Sequence, residues 1–379
     1  TGLARAMRSS ALVRHRIKKV DRLLGNPKVQ AERLHWFRAL AERLSYGQRR
    51  LVVLLDWTQI HGDFWALVAS VPSQGRSIPV LAQAHEHSEV GSPQVHQQFL
   101  FALRRILPRT CRPVIVADGG FRSPFFLACM DASMDFVVRL RNERSVAAID
   151  GSQIKFSDLF QRATRVAQCL GEARPYASSR DSVGLRMVLG PKQPKANLRR
   201  KYRDDYERKR ATEPWLLATS LDNDAAQTIV ALYGQRMTIE ESFRDAKCPR
   251  FGWALKHSGT RSKMRLDALL LIAALAMAIT LLVGAAGDQC GIEKTLRASS
   301  SAARQLSLFS IGAWILALKI RVPFHIVWSQ FKRTRQQNAA AFPKITPPSS
   351  ANRTVPLPLP HGLFCSDCGW NGAQLGWPP

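Results

Sequence analysis

The chain has 379 residues, and 55 lysines and arginines against 28 aspartates and glutamates give it a formal net charge of +27. A chain of this length can bury one large core or two to three ordinary ones. So large a positive surplus indicates a polyanionic partner, nucleic acid first and an anionic membrane second. Seven irregularly spaced cysteines exclude a disulfide framework. Because the sequence also has no secretory signal pattern, we expect a reducing, cytoplasmic setting.

The first 50 residues are basic and helical in pattern. Basic and apolar residues are interleaved through Ala6–Leu24, and a second amphipathic helix is predicted near Val29–Leu44, after Pro27. Because the chain begins at Thr1 rather than methionine, we expect a truncated DNA-binding region here. Two interpretations stay open: the helices dock on DNA, or they cover the sheet that follows.

The next elements are predicted in the order strand, strand, strand, helix, strand, helix, strand. They are Leu51–Leu55, Phe64–Val71, Ile78–Ala84, Pro93–Leu107, Val114–Ala117, Ser123–Met130 and Phe136–Leu140. The first of these is a continuous apolar run, which is typical of a strand buried on both faces. Three antiparallel strands followed by helix-crossed strands form the ribonuclease-H-like plan, an α/β fold whose mixed sheet has helices on both sides.

Two of these strands end in an acid. Asp56 follows the first strand and Asp118 follows the fourth. An isolated aspartate after a strand is most often a turn residue. In the ribonuclease-H-like plan, however, the first and fourth strands are neighbours, so the two carboxylates would meet at adjacent strand ends and form a site.

The segment after the fifth strand is predicted to be a mostly β insertion that interrupts the core. Val183–Leu189 and Trp215–Leu221 are predicted strands, and the basic stretch Lys192–Arg210 lies between them. That stretch is either a DNA-contacting loop or a solvated linker, and its place just before an acid-bearing helix favours DNA contact.

This helix, predicted at Ala225–Lys247, places four polar side chains within a ~60° arc: Tyr233, Arg236, Glu240 and Lys247. One face therefore carries a carboxylate bracketed by two cations and a phenol, which indicates a phosphate-handling site. The alternative is an ordinary solvated face. Glu241, at ~100° from Glu240, points elsewhere and is predicted to be a salt-bridge partner.

Beyond this helix, Ala268–Ala286 is almost entirely apolar and long enough to span a membrane. Because it is rich in alanine and interrupted by Thr280 and Gly284, a buried core helix is the favoured interpretation. Leu306–Ile320 is one more apolar helix. In the Pro-rich tail two cysteines have the spacing of half a zinc site, and we predict no metal there: Cys365 and Cys368.

Asp56, Asp118 and Glu240 form a predicted set of three carboxylates. Phosphoryl transfer on DNA needs an activated nucleophile and a stabilised 3′ leaving oxygen, which two Mg²⁺ ions ~3.5–4 Å apart supply through oxygen ligands of this kind. Mn²⁺ is expected to substitute. Arg236 and Lys247 would bind phosphates beside the metals, and Tyr233 could hydrogen-bond a phosphate as well.

The same residues resemble a known signature. Tyr233-x2-Arg236-x3-Glu240-x6-Lys247 is similar to the YREK motif of transposases of the insertion sequence 4 family, which use a DDE site. VADGGFR around Asp118 and DWT at Asp56 resemble that family's second and first acidic motifs. The resemblance covers about residues 14–285.

This resemblance implies a ribonuclease-H-like catalytic core and Mg²⁺-dependent cut-and-paste transposition. The implied partner is double-stranded DNA, both element ends and target, bound by a homodimer that assembles on paired ends in the bacterial cytoplasm, near the nucleoid. Cleavage through a DNA hairpin occurs in well-known relatives, and Trp215 resembles the tryptophan that holds a flipped base there. A strand tryptophan packed in the core is the alternative for Trp215.

We expect six segments along the chain. They are a basic helical region at 1–50, the first part of the catalytic core at 51–142, the β-rich insertion at 143–222, the completion of the core with the Glu helix at 223–290, a helical region at 291–335 and a Pro-rich, disordered tail at 336–379. Three alternatives to a transposase stay open: a nuclease of the same fold without strand transfer, a non-catalytic DNA-binding relative and, as an outlier, a membrane protein.

Overall fold

A computed structural model describes residues 4–5, 7, 9–141, 145–176, 182–192, 212–248, 252–301 and 303–342. Most of the predicted basic loop, from residue 193 to 210, lies outside these residues. The tail from residue 343, with Cys365 and Cys368, lies outside them too.

Ten strands of the described chain form one mixed sheet in the order β3-β2-β1-β4-β5-β10-β9-β8-β6-β7. Their bounds are β1 Arg50–His61, β2 Phe64–Ser73, β3 Arg76–Glu86, β4 Arg112–Ala117, β5 Asp135–Arg139, β6 Ser145–Ala148, β7 Gln153–Lys155, β8 Gln168–Arg174, β9 Leu185–Leu189 and β10 Leu216–Thr219. The first three strands pair antiparallel through short turns, whose Gly62 and Gly75 have φ values of +49° and +86°. β1 then pairs parallel with β4, and β4 pairs parallel with β5. The predicted ribonuclease-H-like α/β fold is confirmed.

The insertion extends this sheet. β10 pairs antiparallel with β5, and β9, β8, β6 and β7 follow in order. The described strands of the insertion, β6 to β10, therefore add to the same sheet beyond β5. The division of the chain into six segments remains a prediction.

Eleven α-helices of the described chain flank the sheet or lie beside it. They are α1 Val13–Leu24, α2 Pro27–Ser45, α3 Pro93–Ile106, α4 Ser123–Asp131, α5 Phe156–Gln161, α6 Ala226–Gly234, α7 Met237–Lys247, α8 Lys263–Gln289, α9 Glu293–Leu296, α10 Leu308–Leu318 and α11 Phe324–Ala340. Alternate residues of β1 enter two cores: Val52 and Leu54 pack with α6 on one face, while Val53 and Leu55 belong to the larger core on the other. Burial on both faces explains why β1 begins as an unbroken apolar run.

The two N-terminal helices differ in burial. α2 buries Phe37, Leu40, Ala41 and Leu44 in the larger core, whereas α1 has no buried residue. α2 therefore covers the core, and α1 leaves its basic side chains at the surface.

The long apolar helix α8 packs against β3, α2, α10 and α11. Among the described residues it is the one helix that could span a membrane by length and composition, but 67% of its most apolar stretch is buried within the protein, as in a core helix. Gly284 lets it touch α10, because a Cβ there would collide with the carbonyl of Leu308, and one on Gly312 would collide with the carbonyl of Thr280. The glycine that interrupts the apolar sequence is thus a helix-packing residue.

Helix α11 ends the described chain. Its Thr334 Oγ1 lies 3.0 Å from Ser73 Oγ, and Asn338 Nδ2 donates to the carbonyl oxygen of Pro72 at 3.0 Å. These polar contacts fix the helix on the β2–β3 hairpin. Residues 336–340, which the sequence assigned to the tail, are part of this helix.

Candidate active site

The parallel pairing of β1 and β4 sets the first two acids side by side. Leu55 is opposite Ala117 in the register, so Asp56 and Asp118 are the next residues on neighbouring strands. Each carboxylate also accepts a local backbone hydrogen bond, Asp56 from the N–H of Trp57 and Asp118 from that of Gly120, both at 2.9 Å. The structure thus brings together two aspartates that lie 62 positions apart in the sequence.

The predicted single helix Ala225–Lys247 is wrong in one respect: it is two helices, α6 and α7, joined at Gln235–Arg236. The backbone hydrogen bonds across the junction run from residue i to i−3, a tighter turn than the α-helix. Gly234 ends the first helix, and glycine is a poor helix former.

Helix α7 brings the third acid and its arginine to the strand ends. Arg236 Nη2 lies 2.9 Å from Asp56 Oδ2 and 3.6 Å from Asp118 Oδ2, and Nη1 forms a close ion pair with Glu240. One guanidinium therefore contacts all three predicted carboxylates. We call these four residues the acid site.

Burial controls the electrostatics of the acid site. The pKa of Asp56 is raised to about 7, first by burial and then by the negative charges of Asp118 and Glu240, against the lowering effect of Arg236. Burial lowers the pKa of Arg236, but its acidic neighbours, Asp56 first, outweigh this and hold that pKa above its ordinary value. Arg236 is thus a permanent cation, while Asp56 is poised to change its charge near neutral pH.

The acid site fits a hard divalent cation in its type of ligand and in its charge. Its three carboxylates supply oxygen ligands, and they converge on one cation with a formal surplus of two negative charges over the guanidinium. As the side chains stand, no group of three His, Cys, Asp or Glu residues in the described chain is arranged to hold a metal ion. The guanidinium lies between the oxygens, and its Nε is buried without a hydrogen-bond partner among the described residues.

Lys247 lies further along the same side of α7. Its Nζ donates to Thr58 Oγ1 at 2.8 Å. Burial lowers the pKa of Lys247, Asp56 raises it and Lys256 lowers it again. Lys247, Asp56 and Glu240 all line one open groove of about 870 Å³. Three of the four side chains predicted from the helix therefore face one site: Arg236, Glu240 and Lys247.

The fourth, Tyr233, points into the protein. It is 4% exposed and packs edge-on against Trp215, with 4.8 Å between the ring centroids. Burial raises the pKa of its phenol. Trp215 is only partly buried and packs against the core that contains Tyr233.

A second polar cluster lies on the side of α7 that packs against β3, and its Arg244 also lines the groove. Asp245 pairs with Arg76 of β3 at 2.5 Å, and Glu241 lies 3.7 Å from Arg76 and forms a close pair with Arg244. The predicted salt-bridge role of Glu241 is confirmed. We call these four residues the anchor cluster.

Next to Asp56 begins a largely buried aromatic cluster that the sequence analysis did not predict. Trp57, next to Asp56, donates from Nε1 to Nε2 of His96 at 3.0 Å, and His96 packs on Phe121 at 4.7 Å between ring centroids. Burial lowers the pKa of His96 to about 4, so its ring is neutral and able to accept this bond. The sequence contained a signal for the burial of His96: it lies three positions before Phe99, and residues at this spacing share one face of a helix, here the apolar face of α3.

The model of the transposase DDE domain matches residues 71–277, which is more than half of the chain. The matched segment includes Asp118 and Glu240 and begins after Asp56. No curated protein matches the chain. On the strength of the matched domain and the fold, the chain belongs to the transposase DDE domain family.

Proposed function

We propose that this chain is a transposase of the insertion sequence 4 family that cleaves DNA at element ends and joins the freed 3′ hydroxyl to target DNA. Family membership implies DNA as the partner. The narrower assignment rests on the spacing of Tyr233, Arg236, Glu240 and Lys247, joined to two acids in the expected order.

One observation carries the proposal: three carboxylates from two strand ends and one helix meet at a single buried cation. Asp56, Asp118 and Glu240 would hold Mg²⁺. When bound, two such ions supply activation of the attacking oxygen and stabilisation of the leaving 3′ oxygen. The same machinery serves hydrolysis first and strand transfer second.

Arg236 and Lys247 supply the phosphate contacts. A divalent cation and a guanidinium compete for the same carboxylate oxygens, so Arg236 is expected to exchange these partners for oxygens of the DNA backbone, which its planar fork binds bidentately. Lys247, held by Thr58, is a fixed point charge in the groove. Both side chains attract a phosphodiester to the acids.

Trp215 is proposed to stack an unpaired base, with Tyr233 behind it. The aromatic face of a partly exposed tryptophan suits such stacking, and the charges of Asp118 and Arg236 act on the neighbouring Tyr233. This role belongs with cleavage through a hairpin. A homodimer assembled on paired ends and a cytoplasmic, nucleoid-associated location complete the proposal.

The test is cleavage of a labelled duplex that carries the element end, with Mg²⁺, by the wild type, Glu240→Gln and Glu241→Gln. Glu241 is the matched control, because it is the adjacent acid of the same helix but belongs to the anchor cluster. We expect Glu240→Gln to bind the duplex without cutting it, and Glu241→Gln to cut within a few-fold of the wild-type rate.

Joining of the freed 3′ hydroxyl to a second duplex separates a transposase from a simple nuclease. Binding without cutting by the wild type, with Mg²⁺ or Mn²⁺, would indicate a DNA-binding relative and overturn the proposal. Equal cutting by the wild type and Glu240→Gln would show that the acid site is not the catalytic site.

A further inference from the structure

The groove that begins at the acid site continues past it. Its floor is the far end of β1, from Asp56 through Thr58 to His61, and its wall is α7 together with the turn that carries Lys256. Two acids, Asp56 and Glu240, line this groove together with three cations, Arg244, Lys247 and Lys256. The groove therefore carries basic side chains in addition to the acids.

The turn that carries Lys256 is firmly attached to α7. The N–H of Gly252 donates to the carbonyl of Cys248 at 3.0 Å, and the N–H of Trp253 donates to that of Asp245 at 3.1 Å. Trp253 also packs on Phe309, with 5.2 Å between the ring centroids. Although its side chain is exposed, Lys256 thus projects from an ordered backbone.

Lys247 and Lys256 are like charges that line the same groove. The positive charge of Lys256 acts to lower the pKa of Lys247. Within the described residues neither ammonium forms an ion pair with a carboxylate, and Lys247 bonds instead to the neutral hydroxyl of Thr58. A pair of cations that costs Coulomb energy in the free protein is stabilised when an anion lies between them.

We propose that Lys247 and Lys256 form a second phosphate site, which binds the backbone phosphate next to the scissile one on the cleaved strand. This inference rests on the proposed function. It places the cleaved DNA strand along a path from the acid site, beside β1, towards the tip of the β1–β2 hairpin. The groove, at about 870 Å³, is larger than a single phosphate needs and falls within the range of roughly 300–1,000 Å³ of sites that enclose whole organic ligands.

Cys248 offers a direct probe of this path, because it is a free, partly exposed cysteine among the residues that line the same groove. The experiment measures the rate of iodoacetamide alkylation of Cys248 by peptide mass spectrometry, in EDTA, with and without a single-stranded oligonucleotide. The exposed Cys290 at the end of α8 is the internal control. We expect the oligonucleotide to slow alkylation of Cys248 several-fold and to leave Cys290 unchanged.

Lys256→Gln tests the site itself, with Lys294→Gln on the remote helix α9 as the matched control. We expect Lys256→Gln to remove the protection of Cys248. It should also reduce the slope of log K against log salt by about 0.7, the value for one phosphate contact on a single strand. Lys294→Gln should retain the protection. Both lysines are exposed, so both variants should fold, and thermal melting checks this.

Three results would overturn the inference: oligonucleotide binding without protection of Cys248, protection that survives in Lys256→Gln, or equal protection by inorganic phosphate alone. The last would identify a site for free phosphate. Because the experiment uses no metal and no cleavage, its outcome is separate from the cleavage test. Protection of Cys248 without cleavage would overturn only the transposase proposal. Cleavage without protection of Cys248 would overturn only the proposed path of the DNA strand.

Discussion

Helix α7 carries an acid–arginine cluster on each of two faces, and the two clusters differ in their balance of charge. The anchor cluster sets two carboxylates against two guanidiniums, Arg76 and Arg244. The acid site sets three carboxylates against the single guanidinium of Arg236. Both contain a largely buried arginine, with side-chain exposures of 14% for Arg76 and 11% for Arg236.

This difference in charge balance distinguishes a structural cluster from a functional one. A balanced cluster has no net attraction for a further ion, and its arginine joins α7 to β3. An unbalanced cluster of carboxylates, of which Asp56 is largely buried, is costly in the free protein and attracts cations. Clusters of this kind are typical of functional sites, where charge is arranged at the expense of stability.

The largest expected effect comes from removing an acid of the acid site. Asp118→Asn should reduce the rate of DNA nicking by at least about 10³-fold, as losses of a member of a catalytic unit do, while the protein stays folded. Asp131→Asn, an exposed acid at the end of α4, is the control and should cut at the wild-type rate. Retained nicking by Asp118→Asn would remove that residue from the site.

In the anchor cluster the corresponding loss should appear in stability. Arg76→Met leaves Asp245 buried without its main partner, which should cost about 3–5 kcal/mol in the free energy of unfolding, measured by urea denaturation. Arg265→Met breaks the exposed pair with Asp21 and should cost no more than about 1 kcal/mol. Equal losses in the two variants would mean that the anchor cluster does not fix α7.

In the acid site, unlike the anchor cluster, a substitution should increase stability: the raised pKa of Asp56 predicts that Asp56→Asn gains unfolding free energy over the wild type as the pH rises. In the folded protein this pKa is about 7 against an ordinary 3.8, so the protonated carboxyl stabilises the fold at low pH, and this contribution is lost as the pH rises towards 7. Asp56→Asn has no carboxyl to titrate at this position, so its stability does not fall with pH for this reason. Relative to the wild type, its unfolding free energy should therefore rise by roughly 2–3 kcal/mol between pH 5 and pH 8 in EDTA. A difference that is constant with pH, in melts of both proteins, would contradict the raised pKa.

The smallest effect tests competition for the carboxylates. Arg236→Gln removes a unit charge beside the proposed metal ligands, so the affinity for Mn²⁺ without DNA should increase about tenfold, a modest share of the Coulomb energy of charges this close. Calorimetry or electron paramagnetic resonance measures it. Arg265→Gln, whose arginine pairs with Asp21 and does not line the groove, is the control and should change the affinity little. Unchanged binding in Arg236→Gln would show that the guanidinium does not compete with the ion.

Much of this arrangement could be predicted from the sequence. The spacing of apolar residues and the continuous apolar runs located the strands and helices from residue 51 to 140. The strand order of the ribonuclease-H-like plan then placed Asp56 beside Asp118. The position of Glu241 followed from helical geometry. The break at Gln235–Arg236 could not be predicted from periodicity, because both halves of the junction keep helical dihedral angles and only their hydrogen bonds tighten.

The order of elements and the surplus of positive charge follow from the sequence. So do the three acids: Asp56 and Asp118 each follow a strand, and Glu240 lies on a helix. These follow from local rules, since strand and helix periods are properties of neighbouring residues. The tertiary structure alone decided that Arg236 lies among the acids, that Tyr233 is buried under Trp215 and that Lys256 shares a groove with Lys247. Such contacts join residues of different elements, and the packing of those elements sets the distances between charges.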